Sequence, residues 1–300
     1  MVMSPLFADD FSRPTRLQPL AGDRWCGQSR QLFIKREDER DPLLGGNKWC
    51  KLLGHLAAAQ AAGCRHLLGV GGPWSNHLHA LAHAGARYGF STTGIVRGEA
   101  CETAMLAEAR AAGMQLHFVA RGFYRQRQTP EGQAALRTFA PDAWLIPEGG
   151  AGAPSEPGLA LLAGELAAQT AGPVELVLPV GSGTTLSGLV RHLPPRFRVT
   201  GVMAFHDPGL PLRLGAELAG SAVPWRLLPG VAMRRHASLP LQLARLHQAF
   251  HEDEGVLLDT VYGVRMLAAL PACRGEGVLV MLHTGGLQGC RGHLPVRAAA

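Results

Sequence analysis

Val174-Glu175-Leu176-Val177-Leu178-Pro179-Val180-Gly181-Ser182-Gly183-Thr184-Thr185 is the stretch on which the fold turns. The run from Val174 to Val180 is apolar but short, and it stops at a glycine, so it reads as a buried strand. A strand apolar on both faces needs cover on both sides, which is the habit of parallel sheets flanked by helices. The glycines then turn the chain into a helix from Thr185. Glycine lets the backbone approach an anion closely, and a helix start offers N–H groups and a partial positive charge. Ser182, Thr184 and Thr185 add hydroxyl donors. The segment Gly181-Ser182-Gly183-Thr184-Thr185 therefore suits a phosphate monoester. A dinucleotide fingerprint would need a third glycine where Leu186 stands, and a P-loop would need a Gly-Lys-Ser/Thr that the chain lacks. The plainer alternative is a glycine turn with a Ser/Thr cap.

The same strand–turn–helix alternation extends outward from this stretch. Strands are expected at 66–70, 91–96, 115–119, 144–146 and 277–282, with helices at 47–62, 75–88, 102–112 and 156–170. Residues 1–46 read as an irregular lead-in with one strand at 31–35. Ala120 to Pro130 breaks the pattern with Arg, Gln, Gly and Pro and reads as a surface loop or lid. The fold class is α/β, with open, mostly parallel sheets covered by helices on both faces. A discontinuous two-lobe arrangement is expected, one lobe at 50–145 and a larger one from 1–49 with 146–300. Every glycine-rich segment sits at the carboxyl end of a strand, where open α/β sheets bind ligands.

Composition narrows the function. Of 300 residues, 47% are hydrophobic and 17% charged, which is ample for a core. The net charge of +6 has no Lys/Arg run behind it, so a diffuse field for a small anion is expected rather than nucleic acid binding. No apolar stretch nears the ~20 residues of a membrane span, and nothing resembles a signal peptide. Six cysteines without a CxxC pair read as reduced thiols, placing the chain in the cytoplasm. His79 and His83 read as packing or surface residues, and no catalytic metal is expected.

Two further turns carry candidate chemistry. Gly45-Gly46-Asn47-Lys48 opens an Ala- and Leu-rich helix. A lysine at a helix start is electrostatically poor, which calls for a special reason. A lysine that attacks an aldehyde must lose its proton readily, and partial burial in an apolar helix helps. Gly71-Gly72-Pro73-Trp74-Ser75-Asn76-His77 follows a strand and opens another helix. Ser75 fits an N-cap, Asn76 could donate to an oxyanion, and the N–H groups of the turn could hold a carboxylate.

In chain order, Lys35-Arg36-Glu37-Asp38, Gly45 to Lys48, Ser75 to His77, Pro147-Glu148-Gly149-Gly150, Gly181 to Thr185, Val261-Tyr262-Gly263 and His283-Thr284-Gly285-Gly286 resemble one family. It is the 1-aminocyclopropane-1-carboxylate deaminase and D-cysteine desulfhydrase group of pyridoxal-phosphate enzymes, of the tryptophan-synthase-β type of fold (fold type II). The resemblance spans residues 34–286. It implies pyridoxal 5'-phosphate held by Lys48 as a Schiff base, with Lys48 then moving the Cα proton. It implies that Ser75 contacts substrate or acts as a nucleophile, with His77 beside it in the substrate turn. Asn76 would meet the ring hydroxyl, and Gly181, Ser182, Gly183, Thr184 and Thr185 the phosphate. Thr284 would face the ring nitrogen, and Tyr262 would reach the substrate from the opposite side. A homodimer is also implied.

A threonine hydroxyl cannot keep a pyridine ring protonated as a carboxylate does. A neutral ring stabilises a carbanion less, which favours prompt loss of a β-leaving group. The expected activity is elimination on a small amino acid, D-cysteine or a relative, giving a 2-oxo acid and ammonia. Serine/threonine dehydratase chemistry is one alternative, and a cofactor-binding protein with little catalysis is another. Deaminase members use a second tyrosine near the C-terminus. The tyrosines here are Tyr88, Tyr124 and Tyr262, which argues against opening a cyclopropane ring.

Overall fold

Leucine-, valine- and isoleucine-rich runs punctuated by glycine become the strands of a computed structural model that describes residues 13–27, 30–230 and 239–292. In chain order they are β1 Leu17–Leu20, β2 Leu32–Arg36, β3 His66–Gly71, β4 Ser91–Arg97, β5 Gln115–Val119, β6 Trp144–Ile146, β7 Val174–Val180, β8 Phe197–Met203, β9 Trp225–Leu228 and β10 Val278–His283. The helices are α1 Gly22–Cys26, α2 Gly46–Ala61, α3 Asn76–Tyr88, α4 Ala104–Ala111, α5 Arg121–Arg125, α6 Pro130–Arg137, α7 Glu156–Gln169, α8 Thr184–His192, α9 Leu210–Glu217, α10 Leu241–Glu254 and α11 Gly263–Ala269. None of the described helices is long and apolar enough to cross a membrane.

The chain divides into two compact units, one built on Arg40–Leu162 and the other on Thr15–Glu39 with the chain from Ala163 onward. The seams fall at 39/40 and 162/163 rather than at 49/50 and 145/146, because all of α2 lies in the first unit and the chain at Glu148–Gly150 and Ala153–Ser155 packs against it.

The first unit carries a parallel sheet of order β5-β4-β3-β6. Side chains alternate across it. Leu67 and Val96 join Trp49, Leu52, Leu56 and Leu81 on one face. Leu68, Val70 and Ile95 join Val119, Tyr124 and Leu136 on the other. That two-residue period over a doubly covered sheet buries β3 beyond His66 and the middle of β4, while β5 and β6 are only partly covered. Helix α2 lies backbone to backbone against the chain around Pro154 and Gly158. A Cβ at Gly54 would stand 1.7 Å from the Pro154 carbonyl oxygen, and one at Gly158 would stand 1.7 Å from that of Cys50. Only glycine permits such an approach.

The second unit carries a sheet of order β1-β2-β10-β7-β8-β9, parallel except for the antiparallel β1–β2 pair. Every residue of β7 is buried, as its apolar run predicts. Its one charge, Glu175, is met by Arg30 at 2.9 Å, Arg226 at 3.1 Å and the Thr200 hydroxyl at 2.8 Å. Lys35 is likewise fully buried, and its Nζ donates to Glu165 at 2.6 Å, Gln169 at 2.9 Å and the Thr15 carbonyl at 2.9 Å. Buried charges persist only when partnered in this way. The Lys35-Arg36-Glu37-Asp38 segment is thus a structural knot of the second unit.

Two expectations are corrected. The lead-in contains β1 and α1 besides β2. Ala120 to Pro130 is not a loop: it contains α5 and ends where α6 begins. Pro130 stands in the first turn of α6 behind a Thr129 cap, a place that suits its fixed φ and missing N–H. Tyr124 is buried and donates to Glu148 at 2.7 Å, which Arg127 also binds at 2.7 Å. These contacts tie the segment down.

Candidate active site

In the first unit the candidate residues collect at the carboxyl ends of adjacent strands. The Gly71-to-Ser75 turn follows β3 and Glu148–Gly150 follows β6, which pairs with it. Ser75 caps α3, accepting from the Leu78 N–H at 3.2 Å, as its position predicts. Gly45 and Gly46 open α2 with φ of 63° and 37°, a left-handed entry that glycine allows at little cost. Lys48 follows in the first turn, half-buried, its Nζ donating to the Asn47 side-chain oxygen at 2.8 Å.

Two residues that sequence reasoning missed stand behind Lys48 on α2. Lys51 is 3% exposed, and burial followed by the charge of Lys48 holds its pKa well below the lysine range. His55, a turn further on, accepts from Trp144 Nε1 at its Nδ1 (3.2 Å). Its Nε2 must therefore carry the hydrogen, donating to the carbonyls of Gly150 at 3.3 Å and Ala151 at 3.2 Å. Burial lowers its pKa to about 4, so it is a neutral positioning group. The spacing Lys48, Lys51, His55 along one helix face was the available signal.

His77 is buried too. Burial lowers its pKa well below the usual range, and the charges of Lys51, His55 and Lys48 add to the effect. Both its ring nitrogens and Asn76 Oδ1 are buried without hydrogen-bond partners. Unsatisfied buried polar atoms are uncommon and cluster where a ligand or chemistry requires them. His77 packs beside Gly150, where an added Cβ would lie 3.7 Å from its ring and 3.1 Å from Lys51 Cβ.

In the second unit, Gly181-Ser182-Gly183 follows β7 and Thr284 follows β10, its parallel neighbour, so both loops leave the same carboxyl end of the strands. Gly183 has φ 94° and hands the chain to α8, which begins at Thr184, one residue before the expected start. The Ser182 and Thr184 hydroxyls lie 3.0 Å apart at this helix start. The first N–H groups of a helix have no acceptor within it, so the loop and helix form a cradle for an anion. The Tyr262 ring covers the cradle: a Cβ at Gly181 would be 3.3 Å from its Cε1.

Tyr262 is set by Asp259, a third residue missed in the sequence. Its buried carboxylate accepts the N–H groups of Val261 at 3.0 Å, Tyr262 at 2.6 Å and Gly263 at 2.7 Å. Burial raises the pKa of Asp259 against the pull of those N–H groups. An Asp three residues ahead of a candidate side chain is an Asx-turn signal. His283 sets Thr284 in the same manner. Its Nδ1 accepts from the Gly285 N–H at 3.1 Å, leaving Nε2–H to donate to the Leu257 carbonyl at 2.7 Å. Thr284 is buried, between His283 and the left-handed Gly285 and Gly286.

Each unit by itself carries chemistry that suits one part of a phosphorylated aldehyde, the first its carbonyl and the second its phosphate. A lysine sits among buried basic groups whose charged forms burial suppresses, beside unpartnered polar atoms, in one unit. A glycine cradle that a side chain at Gly181 would crowd, with hydroxyls at a helix start, lies in the other. The comparisons agree. The sequence pattern of the pyridoxal-phosphate dependent enzymes matches residues 9–285. Nocardicin C-9' epimerase of Nocardia uniformis subsp. tsuyamanensis is 31% identical, covering 91% of this chain and 90% of its own. A protein of Pyrococcus horikoshii described as a 1-aminocyclopropane-1-carboxylate deaminase is 26% identical, over 86% and 85%. The D-cysteine desulfhydrase of Salmonella paratyphi A is 27% identical, over 86% and 87%. Among solved structures, an ACC deaminase homologue superposes with a TM-score of 0.79 at 22% identity, covering 96% of this chain and 97% of the other.

Proposed function

Because the chain belongs to the pyridoxal-phosphate dependent enzymes, we propose that it eliminates a β-leaving group from a small amino acid, D-cysteine or a close relative, releasing a 2-oxo acid and ammonia. Pyridoxal phosphate, when bound, supplies an electron sink at the substrate Cα. Lys48 holds the cofactor and moves the Cα proton. Lys51 and the neutral His77 set the electrostatics around it, and Ser75 and Asn76 orient the substrate and the cofactor hydroxyl. Gly181 to Thr185 hold the phosphate, and Tyr262 delivers or accepts a proton on the substrate's other side. The observation that carries the reading is Thr284: a buried hydroxyl, with no carboxylate between it and Gly286. A hydroxyl at Thr284, unlike a carboxylate, would not hold a proton on the cofactor's ring nitrogen, and a cofactor held this way would supply a weaker electron sink, which favours loss of a β-leaving group.

The epimerase relative supports a second reading, in which the Cα proton returns on the opposite face and nothing leaves. One experiment separates the two. The protein, loaded with cofactor, is incubated in D2O with the D and L forms of cysteine, serine and alanine. Sulfide and pyruvate from D-cysteine support elimination. Deuterium at Cα with inversion and no 2-oxo acid supports epimerisation and overturns elimination. A protein that takes up cofactor but gives neither product nor exchange is a binding protein, and both readings fall.

A further inference from the structure

His79 and His83 stand one turn apart on α3, and Glu108 meets them from α4. His79 is 2% exposed, with Nε2 at 2.8 Å from Glu108 Oε2. The two imidazoles lie 4.4 Å apart, centroid to centroid, and tilted by 51°. One donor atom from each of the three residues lies within 4.8 Å of the other two. A His79–Glu108 hydrogen bond accounts for those two residues but not for His83, whose Nε2 is buried with no hydrogen-bond partner. Burying an imidazole nitrogen that way costs free energy unless something takes its lone pair.

We propose that His79, His83 and Glu108 form a zinc site that clamps α3 to α4. Two neutral imidazoles and a carboxylate are zinc ligands, with water completing the tetrahedron. Magnesium and calcium prefer all-oxygen sets and are poorly served by two imidazoles. Donors around a tetrahedral zinc lie roughly 3.3 Å apart, so the three donors, within 4.8 Å of one another here, must draw together when the metal binds. Histidines at i and i+4 present both rings from one helix face. The clamp has a consequence at the substrate turn. Helix α3 begins at Ser75–Asn76, and Thr103, the cap of α4, donates its hydroxyl to the Pro73 carbonyl at 2.7 Å. Zinc would add to the His79–Glu108 contact and the Thr103–Pro73 bond, holding the Ser75 turn in place. It takes no part in the reaction, and the inference does not depend on which substrate the enzyme uses.

The test uses the full chain with its cofactor, stripped with a chelator and titrated with zinc chloride by calorimetry. One equivalent is expected to bind and to raise the thermal midpoint. His83→Ala and Glu108→Gln should each weaken binding at least about 10-fold and lose the thermal shift. Glu108→Gln preserves shape and a hydrogen bond to His79, so it guards against a fold defect in the first variant. Zinc-edge X-ray absorption should show nitrogen and oxygen neighbours with imidazole scattering. Failure to bind, binding equal in wild type and both variants, or a sulfur shell from thiols such as the exposed Cys101 would each overturn the proposal.

Discussion

In the first unit, Lys51, His55 and His77 are buried with their charged forms suppressed, and Asn76 Oδ1 and both nitrogens of His77 lack partners. In the second, Asp259 and His283 are as deeply buried, yet backbone N–H and carbonyl groups meet each of them. Around Lys48 the neighbouring polar groups stand unpartnered, whereas the groups that shape the Tyr262 and Thr284 loops are hydrogen-bonded by backbone, even though burial disfavours the charge on Asp259 as well. The difference is a division of labour. Reactive groups need an environment that alters their protonation, whereas a phosphate cradle needs only preorganised backbone.

The largest effect should come from Lys48→Ala. If Lys48 moves the Cα proton, turnover drops roughly 10²–10⁴-fold. The visible absorption band of the holoprotein should also be altered and should no longer shift with D-cysteine. An unchanged band would remove Lys48 from the scheme and with it the special status of the first unit.

Next comes acid sensitivity. His55 is neutral in the fold, with a pKa of about 4 against 6.5 ordinarily. Between those values the unfolded chain takes up a proton that the folded chain does not. Stability is therefore full above pH 6.5 and lost as pH falls to 4, by roughly 3 kcal/mol from this group alone. His77 acts in the same direction. Urea unfolding followed by tryptophan fluorescence across that range should show the slope, and His55→Gln should flatten it. A flat wild-type profile would mean that the first unit carries no such strain.

Gly183→Ala probes the other half. At φ 94° a side chain is strained, and its Cβ would meet Leu214 at 3.0 Å. A cost of roughly 1–2 kcal/mol should weaken cofactor affinity about tenfold, measured by absorbance titration. Ser182→Ala, which keeps the backbone, should change it far less. Smallest is Trp144→Phe, which removes the donor to His55 Nδ1. About 1 kcal/mol of stability should be lost, with cofactor affinity unchanged.

Much of this was legible in the sequence because it is written locally. The β7 run, the Ser75 cap and the glycines that end helices depend on neighbours within a few residues. The edge strands did not announce themselves. Pro19 sits inside β1, where a missing N–H is tolerated only because the strand has one partner. Strand β9 is half-buried throughout and shows no alternation. Lys51, His55 and Asp259 were hidden for a different reason. Their roles come from what burial does to a charge, and burial is decided by chain segments far away in sequence. The pair His79 and His83 had a readable spacing, but Glu108, which gives it meaning, arrives from another helix.

The close approach at Gly54 and Gly158 bears on how such an enzyme could change its substrate over generations. The helix that carries Lys48 is keyed in place by missing side chains, so even one added methyl at either glycine would displace it. A deep mutational scan should show these two positions, which contribute no reactive group, as intolerant as Lys48 itself. Variation in specificity would then be confined to the substrate turn and the residues around Tyr262, leaving the lysine's seat fixed while its clientele diversifies.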